Sequence, residues 1–356
     1  MKRLAPLLLT LPCLLAHAAP QENDPVSIAI TFENDVFVNS DDNYTDGLQY
    51  AWAHHRPAQN KADQWAISTA CRYFGCDAKQ AVTTTSKIGQ LMYTPTDIFN
   101  PAPQPDDHPW AGMLYYQRSY DINVSDKESI NVGGLIGIIG PHSFAEQTQR
   151  FIHRHITDSP DPQGWHNQIG NAVGVMASIE KRKSIGFLFN RPDKWDVNSA
   201  WYWRAAVGNV MTYAATGLSF KFGRKQAFLV KGDNFGISTK STATFEGKDS
   251  EERGGGCLSI SWLGCSLTAN LEARAVAYNM FLDGRWGHPR DPSVDSRVLV
   301  GEASVGLKLT LPEYRIANYG TPFIRFQITQ RTPEYRSPKS TGAQAWGAIT
   351  IGTDFP

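Results

Sequence analysis

The chain has 356 residues and carries 34 basic against 34 acidic side chains. Such a balance argues against nucleic acid as the main partner. The length suits one large domain or two ordinary ones.

An export signal opens the chain. Lys2 and Arg3 precede the apolar run Leu4 to Leu15, and Ala16-His17-Ala18 is a small-residue cleavage site. The reading is a signal peptide over residues 1–18 and one mature domain over 19–356. Loss of Lys2 and Arg3 leaves the mature chain near −2, with 32 basic against 34 acidic groups. Pro12 precedes Cys13 where a lipoprotein signal needs a small residue. No later stretch reaches the roughly 18 apolar residues of a membrane helix. An exported chain of this kind is periplasmic, secreted or a barrel.

Alternation is the dominant pattern. Val26-Ser27-Ile28-Ala29-Ile30-Thr31-Phe32 puts a large apolar residue at every second position, and Leu48 to Trp52, Val298 to Leu309 and Phe323 to Ile328 do the same. Period two means strands with one greasy face. Small or polar residues on the other face suit a barrel lumen better than a sandwich core. Tyr115, Tyr116, Trp201, Tyr202 and Trp203 are expected in an aromatic girdle. The last segment, Trp346 to Phe355, reads as a closing strand with Ile349, Ile351, Thr353 and Phe355 on one face. The expected fold is an all-β, up-and-down antiparallel transmembrane barrel with both termini periplasmic. Ser241 to Gly256 is expected among its long outer loops.

Between strands, Phe144 to Ile156 has helical spacing, with Phe144, Thr148, Phe151 and Ile152 on one face and Glu146, Gln149, Arg150 and His153 on the other. Ser143 with Glu146 resembles a capping box. Apart from Cys13, the cysteines form two tight pairs, Cys71/Cys76 and Cys257/Cys265, expected as local disulfides after export.

Candidate chemistry starts with His153, which has Gln149 and Glu146 one and two turns back on the same helix face. Ring-orienting groups are what a general base needs. Asn34 and Asp35 end the first strand, where polar groups beside lipid headgroups are costly unless paired or metal-bound. Glu33 and Asp35 are hard oxygen ligands suited to calcium. Asp41 to Gly47 lacks the full ligand series of an EF-hand loop.

These pieces, in this order, resemble the outer-membrane lipid A 3′-O-deacylases, the LpxR-like family. The matching stretches are Phe32 to Phe37, Asn43 to Leu48, Gln90 to Pro95, Asp106 to Gly112, Ile139 to Pro141 leading into Glu146 to His153, Gln163 to Gln168, Phe281 to Gly284 and Pro292 to Asp295. The similarity covers nearly the whole mature chain. It implies twelve strands, an active site facing the outer leaflet, and calcium-dependent (Ca2+) ester hydrolysis of lipid A in lipopolysaccharide. Asn34 and Asp35 match the family's Asn-Asp pair, Thr45 its Tyr-Thr hydroxyl, and His153 its catalytic histidine. Two departures stand out. The loop Asn100 to Asp107 holds no Lys or Arg, and His108 stands where the family often has Arg. Both remove positive charge that could meet a lipid phosphate. The alternatives are an outer-membrane phospholipase using the same residues, or a barrel without catalysis such as a channel or adhesin. A monomer is expected.

Overall fold

The computed structural model describes residues 26–38, 44–191, 195–223, 263–311, 320–337 and 342–355. Period-two alternation sorts each strand into two surfaces, and the sheet closes on itself through twelve antiparallel strands. In chain order these are β1 (Ser27–Asn34), β2 (Tyr44–Arg56), β3 (Val82–Tyr93), β4 (Ala111–Ser125), β5 (Glu128–Ile139), β6 (Ala172–Arg191), β7 (Trp195–Gly208), β8 (Met211–Gly223), β9 (Gly264–Asn279), β11 (Leu299–Thr310), β12 (Thr321–Arg331) and β14 (Gln344–Asp354). Two short strands, β10 (Asp295–Ser296) and β13 (Tyr335–Arg336), pair with each other among the loops. Strands β1 and β14 close the seam in register from Ser27↔Asp354 to Asn34↔Gly347. At one end of that seam the Ser27 hydroxyl donates to Asp354 at 2.8 Å.

Both termini lie at one end of the barrel, here the terminal end; the opposite end is the loop end. Antiparallel order puts the β3–β4, β5–β6, β9–β11 and β12–β14 connections at the loop end. The segment Ser241 to Gly256 lies outside the described residues. The strand ends that flank it, on β8 and β9, lie at the terminal end.

The inner surface is polar and filled. Glu272 accepts from Tyr202 Oη at 2.8 Å and from Arg274 at 2.9 Å, and it also pairs with the fully buried Arg204. Arg182 bonds Glu180 at 2.6 Å. Arg331 bonds Glu302 at 2.7 Å and Glu334 at 3.1 Å. Guanidinium groups lie over the rings of Tyr202, Tyr213 and Trp346. This network runs along the inner wall over β6, β7, β9, β11 and β12. The expected aromatic girdle is only partly one. Tyr116 and Trp201 face outward, whereas Tyr115 and Tyr202 are buried on the lumen side, where the phenol of Tyr202 serves a carboxylate.

Two helices lean on the outer surface of the wall, at opposite ends. Helix α1 (Lys61–Phe74) follows β2 at the terminal end. Asn60 caps it by accepting from Asp63 N, and Gly75, at φ 74°, ends it in the left-handed conformation that glycine adopts without a Cβ clash. The inner face of α1, with Ile67, Ala70 and Cys71, packs on Val82, Tyr120, Ile122 and Ile130. Cys71 and Cys76 form the expected disulfide, stapling the helix end. Cys265 is also disulfide-bonded, and Cys257 lies outside the described residues. Peptide mapping of the oxidised protein should recover Cys71 linked to Cys76; free thiols at both positions would contradict the staple.

Helix α2 (Ala145–Ile152) stands at the loop end and packs against β3 and β4. Its contact with the wall is close. A Cβ on Gly112 would come within 2.3 Å of Ala145 Cβ, so only glycine fits there. The helix presents a different face from the one its apolar spacing suggests. Ala145 and Gln149 are buried against the wall, while Phe144 and Phe151 point away from it. In a bilayer the surroundings of the barrel are apolar, so an apolar outer face carries no penalty. The capping box is also absent: Phe144, at φ 60°, stands at the N-cap, and Ser143 ends a separate 3-10 turn, Pro141–Ser143.

Candidate active site on the outer wall

The sequence-predicted residues divide between the two surfaces of the wall. On β1, inward and outward positions alternate, so Glu33 faces the lumen and Asn34 faces outward. Glu33 is fully buried and accepts from Gln49 Nε2 at 2.8 Å. Asp35, also buried, begins a 3-10 turn, Asp35–Val38, that folds over the outer surface. Phe37 of this turn packs edge-on against Phe32 and lies directly over Gly347, where a Cβ would come within 2.6 Å of Phe37 Cβ.

Asn34 pairs across to Asp46 on β2. The β2–β3 register shifts between Tyr44 and Asp46, placing Thr45 in a bulge; its side chain lies outside the described set. Bulges re-aim side chains and recur beside active sites. Around the wall from β1 come β2, β3 and then α2, which rests on β3 and β4. Two strand spacings, about 10 Å, separate β1 from β3. Asn34, the Asp35 turn and α2 therefore border one stretch of outer wall at the loop end. Outward-facing Leu48, Gln90 and Met92 lie along it.

His153 stands where α2 widens into a π-helical turn, His153–Thr157, a distortion common at functional sites. Its Nδ1 lies 2.7 Å from the carbonyl of Pro160. A carbonyl only accepts, so Nδ1 carries a proton, and in the neutral ring the lone pair that a general base requires is then on Nε2. The loop is held for this contact. Asp158 adopts φ 53°, Ser159 N donates to the His153 carbonyl at 2.9 Å, and Arg154 grips Asp161.

The ring-orienting acceptor is thus Pro160, not the helix residues expected in that role. Glu146 pairs with Arg150 at 2.9 Å on the same helix. Gln149 Oε1 accepts from Trp165 Nε1 at 2.6 Å. Trp165 joins Met92, Trp110 and Ala145 in a buried cluster between α2 and the wall, so Gln149 positions the helix. Sequence reasoning had no signal for Pro160, because a backbone carbonyl carries no residue-type signature. Trp165 did lie within a matched stretch. His142 and His166 are both exposed.

The loop that lacks basic residues also has its own structure. His108 is buried, stacked on Tyr93 at 5.2 Å, with Nδ1 at 2.7 Å from the Pro109 carbonyl. Burial lowers its pKa below the ordinary histidine value, so the ring is a neutral packing element. A cavity of ≈ 530 Å³ lies beside it, lined by Gln104, Asp107, Trp110, His166 and Arg290 among others. Positive charge missing from Asn100 to His108 is supplied here by Arg290, from the β9–β11 connection.

Among the described residues no three His, Cys, Asp or Glu side chains converge as a metal cluster. Asp35, a buried carboxylate at the rim, fits as one hard-oxygen anchor for calcium. Glu33 does not fit the same ion, because it turns to the opposite surface and bonds Gln49.

Comparison with known proteins places this architecture. The solved structure of LpxR from Salmonella typhimurium superposes with a TM-score of 0.70 at 19% identity, covering 92% of this chain and 100% of that one. The β domain of the Bordetella autotransporter BrkA covers 92% and 98%, with a TM-score of 0.41 at 9% identity. No curated protein matches the sequence. The family model described as "Outer membrane protein LpxR" matches residues 4–355. The chain belongs to the LpxR family of outer membrane proteins.

Proposed function

We propose that this protein is a lipid A deacylase that hydrolyses the 3′-acyloxyacyl ester of lipid A in the outer leaflet. One observation carries the reading. Asn34, the Asp35 turn and the helix of His153 border the outer surface of the wall, so their substrate arrives through the bilayer. The loop end then faces outward and the terminal end faces the periplasm.

His153 Nε2 takes a proton from water as the water oxygen bonds to the ester carbonyl carbon. The tetrahedral adduct collapses, the sugar oxygen leaves with the proton returned by the imidazolium, and the acyl chain departs as a fatty acid. The Pro160 carbonyl holds the ring in the tautomer that starts this cycle. Asn34 orients the water or the carbonyl through its carboxamide, and Thr45 donates a hydrogen bond from the bulge. Asp35 anchors calcium, which when bound supplies a Lewis acid for the oxyanion. Gln149 and Glu146 act on the helix, through Trp165 and Arg150.

A mass spectrum of lipid A from cells with and without the protein tests the reading. Loss of one acyl chain supports it. Unchanged lipid A beside newly formed lysophospholipid would make the protein a phospholipase. The filled lumen disfavours a channel. Reconstituted into a planar bilayer, the barrel should show no sustained ion conductance, because the inward-facing charged side chains are paired along the wall and buried from solvent. Stable single-channel openings would contradict this.

A further inference from the structure

We propose that α1 is an interfacial helix that docks on glycerophospholipids of the inner leaflet, with Trp65 as its anchor. The proposal rests on the outer-membrane placement of the barrel and is independent of the catalytic reading.

The first observation is a shortfall in bare wall. On β11 no helix among the described residues covers the outward positions from Leu299 to Leu309, and Leu299, Ala303 and Val305 are exposed. Ten residues at ~3.3 Å rise and ~40° tilt span about 25 Å, the full height of a barrel's apolar band. On β4 the outward positions between Gly112, under α2, and Arg118, under α1, are Leu114 and Tyr116 alone. The same arithmetic gives about 15 Å of bare wall there. The two helices therefore occupy part of the height that lipid covers elsewhere, and their outer faces take the place of wall.

The second observation is how α1 is fixed. Arg118 points outward, toward lipid. An unpaired arginine on that face is costly by an amount that grows with depth. Asp63 of α1 meets it with two hydrogen bonds, at 3.0 and 2.6 Å, and accepts a third from Tyr120 Oη at 2.6 Å. Helix and wall are thus joined by an ion pair whose neutralisation suits an apolar setting.

The third observation is the opposite face. At about 100° per residue, Trp65 projects directly away from Ile67, Ala70 and Phe74. Lys61 and Arg72 flank it, and Tyr73 lies to one side. Trp65 is 71% exposed and Tyr73 80%. An exposed indole between basic side chains, with a phenol to one side, matches a headgroup layer, where the indole sits among glycerol and carbonyl groups and the cations meet phosphate.

Trp65→Cys carrying an environment-sensitive fluorophore tests this in the full chain, reconstituted in phosphatidylethanolamine/phosphatidylglycerol vesicles. The same label at Asp126→Cys, in the β4–β5 turn at the same end, serves as the aqueous reference. The expected result is a blue-shifted emission at position 65, quenched more by headgroup nitroxide lipids than by aqueous iodide. An emission like that of the reference, with iodide quenching, would overturn the proposal. So would protection that appears only at high protein-to-lipid ratio, which would make the face a contact with a second copy. Tyr73→Cys repeats the measurement if labelling at 65 disturbs folding.

Discussion

His153→Ala is expected to lower ester release from purified lipid A by ~10²–10⁴-fold, the usual contribution of a positioned general base, while the barrel remains folded. The side chain is half-buried at the end of α2, and its Nδ1 bonds a loop carbonyl. Its removal therefore leaves strand pairing and the lumen network intact. Heat-modifiable gel mobility provides the folding control. Asp35→Ala should produce a comparable loss by weakening calcium, and added calcium should restore part of that activity but none in His153→Ala. A folded His153→Ala protein with near-wild-type release would place the base elsewhere, with His142 and His166 the next residues to test.

Glu272→Ala should destabilise the barrel by about 3–5 kcal/mol, the cost of removing one partner from a buried ion pair. Glu272 is shared by Arg204, Arg274 and Tyr202, and both guanidinium groups are nearly or fully buried. Arg204 would lose its close carboxylate partner, and Glu180 lies farther off, at 3.7 Å. Urea unfolding in detergent, followed by the same mobility shift, measures the change. Glu128→Ala is the matched comparison. It breaks pairs with Lys181 and Lys183 at the strand margin, where side chains are partly solvated, and should cost under about 1 kcal/mol. Equal losses in the two variants would show that the lumen network contributes no more than a surface pair.

The barrel was legible because a wall with lipid on one side and polar packing on the other imposes strict alternation, which β1 and β11 display without interruption. The candidate residues were legible where the chemistry lies in a side-chain type at a strand end or on a helix, as for Asn34, Asp35 and His153. Three features were not. The face that α2 turns to the wall could not be read, since helical periodicity separates two faces without saying which surroundings each one meets. The roles of Glu146 and Gln149 depended on partners distant in sequence or competing nearby, Trp165 and Arg150. Glu33 and Asp35, two residues apart, looked like joint ligands, but the 3-10 turn after Asn34 breaks the parity that would have kept them together.

The seam between β1 and β14 also bears on biogenesis. The turn at Asp35–Val38 springs from the first strand and rests, through Phe37, on Gly347 of the last. Asn34 and Asp35 thus take up their places only once the two ends of the chain have met. A nascent or stalled intermediate with an open seam would lack the configured centre, however much of its sheet had formed. On the deacylase reading, closure would then be a maturation step that precedes any hydrolysis, and larger side chains at Gly347 should delay its onset.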